Sequence, residues 1–350
     1  MRSRLYFPLY IFALLVTYLG YSVSSYAQVL TSFGSGFSHS EQLLSQRDCF
    51  YGERSSYDSW KNSVVNSGKL DSKKFEQYYP KDVYEKYKRS FECYLFVYSS
   101  SGYKVKGYVV LPKQSDMLTS FPVVIFNRGG NNVAEHALRF SQLFKNHFPL
   151  AEAGYIVISS QYRGAQVWKR DNPQEYGMDE FGGKDVDDVV NLMPVIQGIP
   201  SAASDRIGMM GWSRGGMMSL LAAKRMKNIK ALVLGGTPVD LVTQAKNRPE
   251  MEKYVYSRLI PNYAQNKEQE LESRSALFWP ESLPSSLPIL MFHGTADSRV
   301  SVQGARQFNE KMKALSRPIK YVEYEKGTHG LWENIDNVRE LTTSWFTTYL

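Results

Sequence analysis

The spacing of apolar positions in the first third of the chain predicts short helices followed by a pair of strands. Residues 57–89 mix polar and aromatic positions in a way that is typical of short helices. Residues 91–98 and 103–110 predict two strands, because they are rich in aromatic and β-branched residues and a Ser/Gly turn separates them. Residues 28–50 have no comparable pattern and are expected to be loosely ordered.

Further along the chain, short apolar runs alternate with runs at helical spacing. Such alternation is typical of a mostly parallel sheet with helices on both faces, so the expected fold class is α/β. The predicted strands are 123–126, 155–159, 207–210, 231–234, 289–292 and 319–324. The predicted helices are 185–196, 215–227, 303–315 and a last one from Leu331 toward the end.

One long segment interrupts this alternation. Residues 238–288 contain no apolar strand pattern and are rich in helix-forming residues. Insertions of this kind between two strands of a sheet often cover a binding site. We therefore expect a helical lid insertion at about 238–288.

The N-terminal segment, residues 1–27, has the pattern of a signal peptide. Arg2 and Arg4 precede an apolar run, and small residues end the segment at Ala27. This predicts cleavage before Gln28 and an exported protein, either periplasmic or secreted. The alternative is an uncleaved anchor, the one case in which membrane contact is expected. The apolar run of about 15 residues is shorter than the ~20 that span a bilayer.

Export bears on the two cysteines of the chain. In an oxidising compartment, Cys49 and Cys93 are candidates for a disulfide. Two free, buried thiols are the alternative. Sequence alone does not fix the distance between them.

Composition narrows the classes of function. The chain has 350 residues, of which 43% are hydrophobic and 22% charged, so it is able to form a large core. Its formal net charge is +8, but the basic residues are scattered among acidic ones, so no nucleic-acid partner is expected. The sequence contains neither H-E-x-x-H nor G-x-x-x-x-G-K-[ST], and no cofactor or metal is expected.

The strongest motif in the sequence surrounds Ser213. Gly211-Trp-Ser-Arg-Gly215 has the G-x-S-x-G form and lies between a predicted strand and a predicted helix. A serine on such a sharp turn presents its hydroxyl at the edge of the sheet, and the flanking glycines relieve crowding. The backbone N–H of Arg214 would then point to where an oxyanion forms. The motif therefore predicts Ser213 as a nucleophile.

A serine nucleophile needs a base and an acid that orients the base. In the usual setting of this motif, the chain order is serine, acid, histidine. Asp297 follows one predicted strand and His329 follows the next, so Ser213, Asp297 and His329 fall on three successive strand ends. His293 is the alternative base, but no acid precedes it in a comparable loop. We expect His293 to be a hydrogen-bonded turn histidine.

A glycine-rich loop follows the strand predicted at 123–126. Its sequence is Asn127-Arg-Gly-Gly-Asn131. Hydrolases with a serine on a strand-to-helix turn place a second oxyanion donor in such a loop. An ordinary turn after a strand is the alternative.

Four segments together resemble one enzyme family: Gly211-Trp-Ser-Arg-Gly-Gly216, Tyr162-Arg-Gly164, Glu180-Phe-Gly-Gly-Lys-Asp-Val186 and His293-Gly-Thr-Ala-Asp297. They resemble the catalytic domain of the prolyl oligopeptidase family, serine peptidases and related acyl hydrolases with the α/β-hydrolase fold. The resemblance covers about residues 103–350. It implies that Ser213 is the nucleophile, Asp297 the orienting acid and His329 the general base.

The chain departs from the family in two respects. Family members often carry His or Tyr before the Gly-Gly pair of the oxyanion loop, and some use the Tyr hydroxyl as a donor. Here the residue is Arg128, so the backbone N–H of Gly129 is the expected donor, together with that of Arg214. The second departure is a length of about 75 residues between the predicted cleavage site and the matching portion. That is too short for the β-propeller of many relatives.

We expect three parts: a signal peptide at 1–27, an N-terminal extension at 28–102 that packs on the hydrolase domain, and the α/β-hydrolase domain at 103–350. The expected function is an exported serine hydrolase that cleaves acyl bonds of short peptides through an acyl-enzyme. A carboxylesterase is the alternative, because the same groups cleave esters. A non-catalytic binding protein of the same fold is a further alternative, but it would be expected to have lost part of the triad.

Overall fold

A single nine-stranded sheet organises the part of the chain that the structure, a computed structural model, describes: residues 42–113, 120–131, 137–165 and 171–350. The predicted signal segment at 1–27 lies outside these residues. The strands are β1 (Leu43–Asp48), β2 (Phe91–Ser100), β3 (Tyr103–Pro112), β4 (Phe121–Asn127), β5 (Ile156–Ser160), β6 (Ala202–Trp212), β7 (Ile229–Gly235), β8 (Ile289–Gly294) and β9 (Ile319–Tyr324).

The strand order is β1-β2-β3-β5-β4-β6-β7-β8-β9. The pairs β1–β2, β2–β3 and β3–β5 are antiparallel, and every later pair is parallel. Parallel strands end at the same edge of a sheet, so the loops after β4, β6, β7, β8 and β9 gather along one edge. That edge carries the predicted site residues.

Helices cover both faces of the sheet, as the sequence predicts. Short 3₁₀ turns and one π-helical turn, Glu252–Tyr256, lie between them. The longer helices are α1 (Tyr57–Asn66), α2 (Ser72–Tyr78), α3 (Lys81–Ser90), α4 (Phe140–Glu152), α5 (Val186–Val190), α6 (Leu192–Gln197), α7 (Arg214–Ala223), α8 (Leu241–Asn247), α9 (Tyr263–Ser273), α10 (Val302–Ala314) and α11 (Ile335–Tyr349).

The core consists of two layers, one on each face of the sheet. Successive side chains of a strand point to opposite faces, so Val123 and Ile125 enter one layer while Val124 and Phe126 enter the other. The first layer is packed by α5, α6, α7 and α10, and the second by α1 to α4 and α11. Burial on both faces explains why the parallel strands are short, continuous apolar runs.

The described part of the N-terminal extension is held to the sheet by aromatic packing and a covalent bond. Trp60 of α1 contacts Phe140 and Phe144 of α4 at ring-centroid distances of 4.8 and 5.7 Å. Cys49, just after β1, forms a disulfide with Cys93 of β2, and the backbone N–H of Cys49 donates to the Cys93 carbonyl. β1 and β2 belong to the same sheet as the hydrolase strands. The division at residue 103 stays a prediction.

The structure differs from the sequence-based expectations in three elements. Residues 43–48 are a strand rather than part of a loose segment, because β1 pairs with β2 at the sheet edge. Helix α4 was not predicted, since it carries polar residues and Pro149 within its span. The helix expected at 185–196 is divided into α5 and α6 near Asn191.

The predicted lid segment, 238–288, is helical but is built into the core. Its described helices include α8 and α9, and the π-helical turn lies between them. Its apolar side chains pack in the same layer as the sheet, which ties the segment firmly to the domain. These buried residues are Val239, Leu241, Ala245, Val255, Tyr256, Ile260, Tyr263, Leu271, Ala276, Leu277, Leu283 and Leu287.

Within the described ranges, no helix combines the length and the apolar character needed to cross a bilayer.

Candidate active site

Ser213 lies on the turn between β6 and α7 in a strained backbone conformation. Its φ is 56° and its ψ is −129°, a region that residues other than glycine rarely occupy. The turn is held because the N–H of Ser213 donates to the carbonyl of Gly235 at 2.7 Å. The side chain is half-buried and lines a cavity. Strain that is held in this way is typical of a functional site.

The glycines around Ser213 leave no room for a side chain. A Cβ atom on Gly211 would lie 2.1 Å from the carbonyl oxygen of Gly215. A Cβ on Gly215 would lie 1.9 Å from the carbonyl oxygen of Asn127, and one on Gly216 would lie 1.9 Å from Thr237 Oγ1. The turn is therefore packed tightly against main-chain atoms and the Thr237 side chain, which explains the glycines on both sides of the serine.

The structure brings Asp297 and His329 together. His329 Nδ1 lies 2.7 Å from Asp297 Oδ2, although 32 residues separate them in the sequence. The Asp297 side chain is 1% exposed and that of His329 is 14% exposed. His329 also packs against Gly236, the residue after β7. An imidazole whose Nδ1–H is held by a carboxylate presents Nε2 as a proton acceptor.

Asp297 is held as an anion by its surroundings. Burial opposes ionisation, but hydrogen bonds from His293, His329 and the backbone N–H of Val300 lower the pKa of Asp297 well below its usual range. Its Oδ1 also accepts the N–H of Arg299 at 2.8 Å. An ionised carboxylate here accepts the Nδ1–H of His329 and fixes the orientation of its ring.

His293 does not occupy the position of the base. Its side chain is fully buried, and its Nε2 lies 2.9 Å from the carbonyl oxygen of Val300 and 3.3 Å from Asp297 Oδ2. It therefore braces the loop that carries Asp297, in keeping with the predicted turn histidine. His39 and His136 lie outside the described residues.

The loop after β4 passes directly beside Ser213. A Cβ atom on Gly129 would lie 3.4 Å from Ser213 Cβ and 2.9 Å from the carbonyl oxygen of Trp212. Gly129 and Ser213 line the same cavity. The N–H of Arg214 is the first of helix α7, so the helix offers it no carbonyl partner. The backbone of both predicted oxyanion donors therefore lies next to the serine.

Tyr162 and Arg128 hold this loop, a role that the sequence did not predict. The Tyr162 hydroxyl donates to the carbonyl of Arg128 at 3.0 Å. The N–H of Gly129 belongs to the same trans peptide unit, so it points away from Tyr162. The Arg128 guanidinium is buried and donates to the carbonyls of Gly129 and Asn131 at 3.1 and 3.2 Å.

The side chain of Arg214 is part of a buried ionic cluster behind the nucleophile. It is 2% exposed and donates to Asp179 at 2.6 and 2.8 Å, and to Asp185 at 2.6 Å. It also donates to the carbonyl of Gly130 at 3.1 Å. Asp185 in turn accepts the N–H of Gly182 at 3.0 Å. The segment 180–186 therefore supports the serine turn through Arg214.

Trp212 links the serine turn to the histidine loop. Its indole Nε1–H donates to the carbonyl of His329 at 2.7 Å. The signal for this role was present in the motif, where Trp precedes the serine, but its partner lies 117 residues away and no local pattern identifies it.

The cavity at this edge of the sheet has a volume of about 970 Å³. Ser213, His329, Gly129 and Arg214 all line it, and Asp297 lies behind His329. Residues of the segment 238–288 form part of its wall. Those residues are Pro238, Gln244, Arg248, Met251 and Tyr256. Among the described residues, no group of His, Cys, Asp and Glu side chains is suited to hold a metal ion.

Comparison with known proteins identifies a family. The model of the prolyl oligopeptidase family matches residues 141–350, a range that contains Ser213, Asp297 and His329 but not the loop with Gly129. The uncharacterized peptidase YtmA of Bacillus subtilis is 28% identical over 252 residues, which are 71% of this chain and 91% of that protein. Dipeptidyl-peptidase 5 of Porphyromonas gingivalis is 26% identical over 240 residues, 66% of this chain and 34% of that protein.

Solved structures show the same fold. The acylaminoacyl peptidase of Pyrococcus horikoshii matches with a TM-score of 0.63 and 21% identity, over 78% of this chain and 44% of that one. A complex of acylaminoacyl peptidase with Z-Gly-Gly-Phe-chloromethyl ketone matches with the same TM-score and 20% identity, over 75% and 42%. The chain thus spans most of the Bacillus relative but less than half of these longer peptidases.

The fold of the chain agrees with the structures of these peptidases, and the family model covers more than half of the chain. This protein is a serine peptidase with the α/β-hydrolase fold and belongs to the prolyl oligopeptidase family.

Proposed function

We propose that this peptidase cleaves the acyl bonds of short peptides through an acyl-enzyme, with Ser213 as nucleophile, His329 as general base and Asp297 as the acid that orients His329. The observation that carries the proposal is the Asp297–His329 hydrogen bond of 2.7 Å beside a serine in a strained turn, with both Ser213 and His329 on one cavity.

The proposed steps are those of acyl transfer by a serine, a histidine and an aspartate. His329 Nε2 accepts the proton of the Ser213 hydroxyl as the oxygen attacks the substrate carbonyl. Asp297 stabilises the imidazolium that forms. The N–H groups of Arg214 and Gly129 donate to the oxyanion, each worth about 3 kcal/mol in well-studied cases. His329 returns the proton to the leaving amine, and water then releases the acyl group by the same route.

Short peptides are the proposed substrates because the relatives named above are peptidases and the cavity is of ordinary size for a small ligand. The segment 238–288 supplies one wall of the cavity and packs in the core, so we expect it to limit access by folded proteins.

The first prediction tests the nucleophile. Ser213→Ala should abolish both peptide hydrolysis and labelling by a fluorophosphonate probe, because the probe reacts with an activated serine hydroxyl. Ser298→Ala is the matched control, since Ser298 lines the same cavity but lies outside the serine turn, and it should be labelled normally. Labelling of the Ser213 variant would refute the assignment. Absence of both labelling and hydrolysis from the wild type would favour a binding protein.

A substrate panel separates peptidase from esterase activity. Peptide amides and acyl esters of matched size should both be cleaved. Cleavage of the amides depends more strongly on His329, because an amine must be protonated before it can leave. Cleavage of esters alone would establish the carboxylesterase alternative.

We also propose that the protein is exported. The signal-like pattern at 1–27 supports this, and so does the disulfide between Cys49 and Cys93, since such bonds persist mainly in oxidising compartments. N-terminal sequencing of the protein from its native host should begin at Gln28. A mature chain that begins at Met1 would contradict cleavage.

A further inference from the structure

The wall of the cavity around Ser213 carries an excess of positive charge. Four basic side chains line it outside the buried cluster, and the described lining residues include no Asp or Glu. Of the other two basic residues, Arg214 pairs with Asp179 and Asp185, while Arg128 is buried and donates to backbone carbonyls. The four residues are Lys145, Arg248, Arg299 and Arg339.

Two of these four cations have no carboxylate partner in the described part of the chain. Arg248 pairs with Glu250 at 2.7 Å, and Arg339 lies 3.9 Å from Asp336. Lys145 contacts aromatic rings instead of a carboxylate, and Arg299 is exposed and unpaired. A cation that is left without a partner beside a cavity is free to bind an anionic ligand.

Lys145 is held in place by its neighbours. Its Nζ lies 4.6 Å from the ring centroid of Tyr78, and 5.5 Å from those of Tyr79 and Trp332. Burial, and then the positive charge of Arg339, lower the pKa of Lys145. The two positive charges repel each other, and a bound carboxylate would relieve the repulsion.

Arg299 is fixed to the catalytic loop. Its backbone N–H donates to Asp297, and its carbonyl accepts a hydrogen bond from Arg248 at 3.0 Å. Lys145 lies on α4 and its side chain is near Trp332, three residues after His329, so the two unpaired cations line the cavity from different elements of the fold. A substrate in the cavity therefore meets positive charge on more than one side.

We propose that this peptidase selects substrates with a negative charge, namely peptides that carry a carboxylate within a residue or two of the cleaved bond, and that Arg299 and Lys145 determine this preference. The proposal rests on the proposed function, because it assigns the specificity of the same cavity. Attraction between a substrate carboxylate and these cations should raise kcat/KM for the charged substrate, and salt should weaken the effect.

The experiment compares peptides that differ only in charge. Matched peptide amides carry Glu, Gln or Lys next to the cleaved bond, on the acyl side in one set and on the leaving side in the other, with matched esters of each. The Glu substrate should exceed the Gln substrate in kcat/KM by about tenfold in one set, and the Lys substrate should be poorest. The Glu-to-Gln ratio should fall as NaCl rises, a measurement that needs no variant.

Two variants locate the preference. Arg299→Gln or Lys145→Gln should reduce the Glu-to-Gln ratio by at least about threefold. Lys230→Gln, an exposed cation near the start of β7, is the matched control and should leave the ratio unchanged.

The outcomes separate this proposal from the one on which it rests. Equal rates for Glu and Gln substrates, or a ratio that neither variant changes, would overturn the charge preference while the peptidase assignment stands. No cleavage of any substrate, together with no labelling of Ser213, would overturn both.

Discussion

At the scale of single residues, the site depends on where each polar atom finds its partner. Asp297 holds His329, and Trp212 holds the carbonyl of the same histidine. The Tyr162 hydroxyl and the Arg128 guanidinium hold the carbonyl groups of the loop beside Ser213. Arg128, the residue before the Gly-Gly pair, thus acts on the backbone of the loop.

Tyr162→Phe should lower kcat by about tenfold with little change in KM. The variant loses only the hydroxyl that orients the Arg128–Gly129 peptide unit, so the N–H of Gly129 would be aimed less well at the oxyanion; loss of a whole donor costs about 10²–10³ in kcat. Steady-state kinetics at saturating substrate measure the effect. Tyr155→Phe is the control, because it removes a hydroxyl that bonds Thr347 away from the cavity. Equal kcat values for the two variants would contradict a positioning role for Tyr162.

At the scale of elements, the sequence predicted those helices and strands whose own residues carry a clear apolar pattern. β4 and β8 were found because both of their faces are buried, which produces an unbroken apolar run. β1 was missed because it is a polar edge strand that exists only through its pairing with β2. α4 was missed because its buried rings are interrupted by polar residues and by Pro149, although Phe140, Phe144 and Phe148 pack against the N-terminal helices.

The residues of the candidate site also fall into a predictable group and an unpredictable one. Ser213, Asp297 and His329 were predictable because each stands next to a strand whose pattern is clear. The hydrogen-bond partners of Arg128 and Arg214 were not predictable. An arginine is usually a surface residue, and only the structure shows the buried acceptors of these two. The ring contacts of Lys145 depend on Tyr78 and Trp332, which lie far from it in the chain.

Two glycine substitutions compare the tightly packed serine turn with a helix that has room for a side chain. Gly215→Ala should destabilise the fold by about 3 kcal/mol or more and abolish activity, because the new Cβ would overlap the carbonyl oxygen of Asn127. Gly304→Ala, within α10, meets no atom closer than 3.4 Å and should stabilise the fold by about 0.5–1 kcal/mol. Denaturant unfolding measures both. If the Gly215 variant were as stable as the wild type, the contact between Gly215 and Asn127 would not be as tight as the distance of 1.9 Å indicates.

At the scale of the whole molecule, the sheet joins parts of the chain that are distant in sequence. The parallel strands carry the site at one edge, while the antiparallel strands β1 to β3 continue the same sheet and carry the disulfide. The second core layer brings helices of the N-terminal extension against α4 and α11. We therefore expect the N-terminal extension and the hydrolase domain to unfold together. A buried titratable group in this layer should then change the free energy of unfolding of both.

His147 should make the protein less stable in acid. It is fully buried next to Ser159, and burial lowers its pKa to about 3 from the usual 6.5. Below pH 6.5 the unfolded chain takes up a proton that the folded chain refuses, so the free energy of unfolding falls from pH 6.5 toward pH 3. At pH 5 this amounts to about 2 kcal/mol.

His147→Gln removes the titrating group and tests that contribution. The loss of unfolding free energy between pH 7 and pH 5 should be about 2 kcal/mol smaller than in the wild type, as measured by denaturant unfolding at both pH values. A Ser159→Ala variant keeps the buried imidazole and should retain most of the acid sensitivity. An unchanged pH slope in the Gln variant would place the acid sensitivity elsewhere.

The close contact of main-chain atoms around Ser213 also bears on how enzymes of this kind diverge. Gly211, Gly215 and Asn127 meet through backbone atoms, so these contacts hold the nucleophile independently of the exposed side chains that line the cavity. A lineage can then exchange most of the residues that line the cavity, and with them its preferred substrates, while the reactive oxygen stays where it is. Similarity of fold to peptidases that share only 20–21% of their residues with this chain is the expected result of such freedom.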